Sequence, residues 1–186
     1  MEFQKVIEDR RSIRAFKDTE VTDEQISEII KAGILAPSAK NGQPWRFVVV
    51  RNEEVDKICC AMEKFQEENP DMKITVTSTV KFMRNSSATI LVFMPRRIGR
   101  IAERAPWQYL IPEITSVGAC FENMTLKAHD MGLGSLWIAN VLFAKDYLEE
   151  RFGQDIIAGC LSVGYPDECP DPRPRKSFDE LVTFVN

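Results

Sequence analysis

Residues 113–139 read EITSVGACFENMTLKAHDMGLGSLWIA, and the order of the parts within them decides the fold. Val117, Gly118, Phe121, Met124, Ala128 and Met131 spread apolar or small side chains over much of a helical circumference, the pattern of a long helix packed at the centre of a domain. Gly132 and Gly134 end it, and a short apolar run over 135–139 reads as a strand. A Gly-x-Gly that follows a helix and precedes a strand reverses the strand, glycine turn and helix that cradle a dinucleotide. No strand-turn-helix elsewhere carries G-x-G-x-x-G or G-x-x-x-x-G-K-[ST]. The expected class is therefore α+β, a central mixed β-sheet flanked by helices, and not a Rossmann or P-loop fold.

The rest of the chain supplies the other layers. A short helix is expected over 2–10, with Phe3, Val6 and Ile7 on one side. Thr22 and Gln25 form a capping-box pattern before a helix with Ile26, Ile29, Ile30, Gly33 and Ile34, which stops near Pro37. Residues 46–51 and 88–94 read as buried strands, with an amphipathic helix carrying Val55, Ile58, Cys59, Met62 and Phe65 after the first. A helix over 145–152 and a strand over 156–163 complete the core. Residues 95–112 show no clear period and read as a basic, aromatic loop. The proline-rich tail from Tyr165 regains apolar residues at Phe178, Leu181, Val182, Phe184 and Val185, a pattern that asks for a surface to pack on, such as another subunit.

At 186 residues the chain fits one domain spanning 1–186, with a composition (44% hydrophobic, 28% charged) that folds. The net charge of −4 argues against a nucleic-acid partner, so any phosphate binding must be local. Cys59, Cys60, Cys120, Cys160 and Cys169 are odd in number and lack a C-x-x-C, which is not a disulfide framework. No apolar run approaches the ~20 residues of a membrane helix, and a cytoplasmic setting is the expectation. His129 is the lone histidine, which removes most metal sites and the Ser-His-Asp arrangement; in its helical setting it reads as a partly solvated surface residue rather than a catalyst. The chemistry is expected to be borrowed from a cofactor.

Three stretches depart from what packing asks. Arg10, Arg11, Ser12 and Arg14 close the first helix, either as cations complementing its negative end or as guanidinium forks and a hydroxyl around an anion. Between a helix and a strand, Pro37, Ser38, Ala39, Lys40, Asn41, Gly42, Gln43 and Pro44 are ordinary turn chemistry. Yet Ser38, Asn41 and Gln43 beside Trp45 also offer amides and hydroxyls suited to a polar heteroaromatic edge. Arg173, Pro174, Arg175 and Lys176 read either as a solvated basic tail or as two stiffened arginines aimed at one anion.

Together these stretches resemble the FMN-dependent nitroreductase family. The resemblance is carried by R-R-S-x-R at 10–14, P-S-x-x-N-x-Q-P-W-x-F at 37–47, the long helix running into G-L-G-S-L-W-I at 132–138, and Gly164-Tyr165-Pro166 followed by Arg173 and Arg175. It spans nearly the whole chain in the family's order and spacing. It implies a nitroreductase-like fold in an intertwined homodimer with FMN at the subunit interface. Arg10, Ser12, Arg173 and Arg175 would contact the FMN phosphate and ribityl chain, with Arg11 beside them, and Arg14 would sit by the pyrimidine side of the flavin. The Pro37, Ser38, Ala39, Lys40 and Asn41 turn would reach the flavin of the other subunit, and Gln43 would join the cofactor contacts. Ile138, Ala139 and Asn140 would pass flavin N5, where the family uses backbone N–H groups. One further family contact falls on Asn69, Lys73, Lys81 or Asn85.

The resemblance also implies the reaction: ping-pong transfer from NADH or NADPH to a small-molecule electron acceptor such as a nitroaromatic or quinone, with no catalytic side chain and no metal. A fixed cation such as Arg14 suits the negative charge of a reduced flavin, and several arginines suit a phosphate carrying about −1.5 to −2 charge. Trp107 and Tyr109, with Arg96, Arg97 and Arg100, either line the substrate mouth or belong to a solvated loop. The competing function is a flavin-binding or flavin-handling protein on the same scaffold without reductase turnover.

Overall fold

The β-branched runs pair into one sheet. A computed structural model describes residues 2–71, 76–95, 106–153 and 155–185. Its strands are β1 (Arg46–Val50), β2 (Ala88–Met94), β3 (Gly134–Ile138) and β4 (Ile156–Gly164), in the order β1-β2-β4-β3. All three neighbouring pairs are antiparallel, with Val48 opposite Leu91, Leu91 opposite Cys160 and Ile138 opposite Cys160. The mixed sheet expected from the sequence is thus corrected among the described strands. Its parallel element is an isolated bridge between Ser12 and Ser135. Helices and strands interleave along the chain, but the strand order brings every neighbour back antiparallel.

The helices are α1 (Phe3–Asp9), α2 (Asp23–Ile34), α3 (Asn52–Glu68), α4 (Thr77–Arg84), α5 (Pro106–Asp130), α6 (Lys145–Phe152) and α7 (Phe178–Leu181). The Thr22–Gln25 capping box forms as expected, each side chain accepting the other residue's backbone N–H. All of β2 is buried because both faces are covered. Leu91 and Phe93 face a core made with α3, α4 and α6, whereas Ile90, Val92 and Met94 face a core made with α2 and α5. A methyl on Gly33 would lie 2.7 Å from Met124 Cγ, so glycine sets how closely α2 packs on α5.

Helix α5 begins at Pro106, inside the span read as a loop, and continues through Pro112. Proline removes one intrahelical donor there, and the hydroxyls of Thr115 and Ser116 bond back to the Pro112 carbonyl at 3.1 and 2.6 Å. At its other end Gly132 (φ 75°) donates to the His129 carbonyl and Leu133 to the Ala128 carbonyl, a Schellman stop that needs the left-handed glycine. Gly134 has a different task. A Cβ there would sit 2.9 Å from Ile13, and its absence lets the 12–13 segment lie on β3, where Ile13 N–H donates to Ser135 at 3.0 Å.

Candidate functional site

The segment after α1 is held against the start of the C-terminal tail. Phe16 bridges Pro166, Lys17 N–H donates to Tyr165, and Asp167 N–H donates to Ala15. The Glu168 carboxylate accepts the backbone N–H groups of Arg14 and Ala15. That clamp turns the tail so that its prolines and arginines face the end of α1 across a cleft of about 500 Å³. Arg10, Arg11, Ser12 and Arg14 line one wall, and Arg173 and Arg175 line the other.

The arginines are not equivalent. Arg11 donates from Nη1 to the carbonyls of Glu8 (2.6 Å) and Arg10 (2.9 Å), so the helix-end account holds for this residue. Arg10 lies 4.0 Å from the exposed carboxylate of Glu122. Arg14 donates to the Ser12 carbonyl at 3.1 Å and Arg175 to the Arg173 carbonyl at 3.1 Å, contacts that orient the guanidinium groups without neutralising them. Among the described residues no carboxylate lies within ion-pair distance of Arg14, Arg173 or Arg175. Three uncompensated guanidinium groups, a fourth with a long partial partner and a Ser hydroxyl around one opening form an anion site with donors suited to a phosphate. Glu8 and Asp171 are the acidic residues of its lining.

The 37–43 turn does not enter this cleft in its own chain. Its tip is a 3-10 turn, Ala39–Asn41, with Lys40, Asn41 and Gln43 all at positive φ (53°, 53° and 45°). Such backbone costs of order 1–3 kcal/mol per residue. Ser38 Oγ accepts the Gln43 N–H at 3.0 Å, and Ser116 Oγ accepts the Ala39 N–H at 3.1 Å. The side chains of Asn41 and Gln43 are exposed, and Trp45 packs on the α2/α5 core.

Ile138 is buried at the end of β3, Ala139 is exposed, and Asn140 opens a 3-10 segment (Asn140–Ala144). Asn140 Nδ2 donates to Thr79 Oγ1 at 3.0 Å, fixing this corner against α4. Trp137, half exposed, stacks on Phe121 with ring centroids 4.8 Å apart. The two bound an apolar groove of about 630 Å³ that includes Leu110, Ile114 and Leu142. Trp107 is exposed on the first turn of α5 and lines neither cavity. The Tyr109 side chain, Arg96, Arg97, Arg100 and Lys73 lie outside the described residues. Asn69 bonds back to the Phe65 carbonyl, and Asn85 follows α4 in a separate polar pocket; neither these nor Lys81 lines the arginine cleft.

Sequence reasoning missed Leu110, Ile114, Ser116 and Glu168. The first two extend the α5 apolar face in helical spacing with Gly118 and Phe121, a stripe hidden by treating Pro112 as a loop end. All five cysteines are free, and burial pushes the Cys59 and Cys120 thiols up to about 12. Burial also holds His129 below the ordinary histidine range, with Arg10 and Arg11 acting the same way against Asp9. Its Nε2 is buried without a partner beside Arg11, away from the arginine cleft. No helix among the described residues is long and apolar enough to cross a membrane.

An antiparallel α+β sheet carrying an anion cleft built from both chain ends defines the class, and comparison gives the family. The pattern of the nitroreductase family matches residues 7–165. A protein of Archaeoglobus fulgidus with the provisional name NADH dehydrogenase/NAD(P)H nitroreductase is 31% identical over 174 residues, covering 90% of this chain and 87% of the relative. A BluB-like flavoprotein from Clostridium difficile 630 superposes with a TM-score of 0.83 at 28% identity over the whole of both chains. A provisionally named nitroreductase from Desulfovibrio desulfuricans, solved in complex with FMN, gives 0.75 at 26% identity over 100% of this chain and 98% of that one. The chain belongs to the nitroreductase family.

Proposed function

We propose that residues 1–186 form one FMN-binding domain that works as a homodimeric, cytoplasmic NAD(P)H oxidoreductase, reducing nitroaromatics, quinones or related small-molecule acceptors. The observation that carries the reading is the convergence of Arg10, Ser12 and Arg14 with Arg173 and Arg175 on one cleft. The FMN complex of the D. desulfuricans relative and the nitroreductase name of the A. fulgidus relative support the choice of cofactor and donor.

When bound, FMN would supply ping-pong redox chemistry between NAD(P)H and the acceptor. In this reading Arg10, Arg173 and Arg175 hold the phosphate, with Ser12 as a hydroxyl contact and Arg11 buttressing the helix end. Arg14, fixed by the Ser12 carbonyl and the Glu168 clamp, supplies a preorganised positive charge where negative charge develops on reduction. The Ile138–Asn140 corner offers backbone N–H groups at the end of β3. Pro37, Ala39, Asn41 and Gln43 are exposed, and Ser38 half-buried, on a turn outside their own cleft, which supports their serving the partner's flavin. Tyr109 and Trp107 remain candidates for the substrate side.

Anaerobic titration of the purified yellow protein tests the reading. NADH or NADPH is expected to bleach the oxidised flavin absorbance, and a nitroaromatic or quinone to restore it. A flavin that neither nicotinamide bleaches contradicts the reductase assignment and leaves flavin handling as the function.

A further inference from the structure

The 37–43 turn is stiff at its base and sparsely held at its tip. Its base follows α2, which is locked on α5 through Gly33 and through Asn123, whose Nδ2 donates to the Ala32 carbonyl at 3.1 Å. At the tip, bonds within the turn link Asn41 N–H to Ser38, Gly42 N–H to Ala39 and Gln43 N–H to the Ser38 hydroxyl. Lys40, Asn41 and Gln43 at positive φ, none of them glycine, leave this conformation strained. Among the described residues, besides Trp45 N–H to the Gln43 carbonyl at 2.8 Å, one hydrogen bond ties the tip to a neighbouring element: Ala39 N–H to Ser116 Oγ at 3.1 Å.

Ser116 is suited to that role and overbuilt for ordinary helix packing. It is 5% exposed on α5, and its hydroxyl proton is committed to the Pro112 carbonyl at 2.6 Å. With the proton placed, a lone pair must face outward, and Ala39 N–H fills it. The hydroxyl therefore acts in one sense: α5 presents an acceptor and the turn must dock on it. An apolar side chain would keep the helix and release the tip.

We infer that Ser116 is a positioning residue for the flavin site, holding the strained Ser38–Gln43 turn in the conformation that meets the partner's FMN. This rests on the reading above, in which that turn faces the flavin of the other subunit. The hydroxyl touches neither cofactor nor substrate. It sets the population of the binding-competent turn, so its loss appears as weaker FMN binding.

The test uses the full-length dimeric protein and four forms: wild type, Ser116→Ala, Ser116→Thr and Asn41→Ala. FMN dissociation constants are measured by quenching of flavin fluorescence, and the apo forms are melted in parallel. Losing one bond to a strained tip is expected to raise the FMN dissociation constant about tenfold in Ser116→Ala, with apo melting lowered by no more than the few degrees one such bond accounts for and dimer size unchanged. Ser116→Thr, which keeps the hydroxyl, restores affinity. An unchanged constant in Ser116→Ala beside a weakened Asn41→Ala overturns the role of Ser116 and leaves the turn as a flavin element. Unchanged constants in both overturn the inference together with the assignment of the turn. Weaker binding that tracks a lower apo melting temperature and is not rescued by threonine overturns it in favour of simple packing.

Discussion

Arginine chemistry at the cleft depends on which guanidinium groups have already found partners. Arg11 spends its Nη1 on the carbonyls that end α1, whereas Arg14 and Arg175 are oriented by carbonyls and, like Arg173, have no carboxylate partner among the described residues. His129 sits behind this cluster with its pKa lowered chiefly by burial. A histidine that resists protonation when folded, against an ordinary value of 6.5, destabilises the fold as pH falls: below about 6.5 the unfolded chain takes up a proton that the folded one refuses. Urea midpoints measured across this range are expected to fall less steeply for His129→Gln than for wild type. Identical slopes would place His129 in a solvated environment.

Elements meet at the glycines of the 132–134 stretch. Gly132 stops α5 and Gly134 admits the segment that carries Ser12 and Arg14 onto β3. Gly134→Ala forces its Cβ against Ile13 and should cost about 1–3 kcal/mol, and it should weaken FMN binding by displacing the cleft's N-terminal wall. Denaturant titration and FMN titration of the same variant check both, and a destabilised variant with unaltered FMN affinity would uncouple the bridge from the cleft. Much of this level was legible in the residue pattern. Thr22 and Gln25, the β-branched runs and the glycine stop announce α2, the strands and the end of α5. The first turns of α5 were hidden because Pro112 reads as a breaker, yet the helix runs through it at the loss of one backbone donor. Helix α4 is only eight residues long with Val80 and Met83 as its buried positions, too short for its repeat to stand out. For the site, the residue types were visible in each stretch. The Glu168 clamp was not, since one carboxylate accepting two distant N–H groups leaves no periodic trace.

For the whole molecule, the tail is the least self-sufficient part. Residues 171–185 are exposed throughout, including Phe178, Leu181, Phe184 and Val185, so they add nothing to the core of their own chain. An apolar tail that carries two cleft arginines fits a working unit of two chains. Truncation after Pro170 is expected to leave the fold intact by circular dichroism, weaken dimerisation in sedimentation, and abolish tight FMN retention. A dimeric truncated protein that keeps its FMN would assign the tail neither role.

The central claim is that arginines from both ends of an acidic chain grip one phosphate. Its most direct test compares FMN with riboflavin, which lacks the phosphate, on wild type and on Arg10→Ala/Arg175→Ala. Wild type should bind FMN far more tightly than riboflavin, and the double variant should lose most of that preference while riboflavin affinity stays near the wild-type value. A double variant that still distinguishes FMN from riboflavin as wild type does would contradict the account.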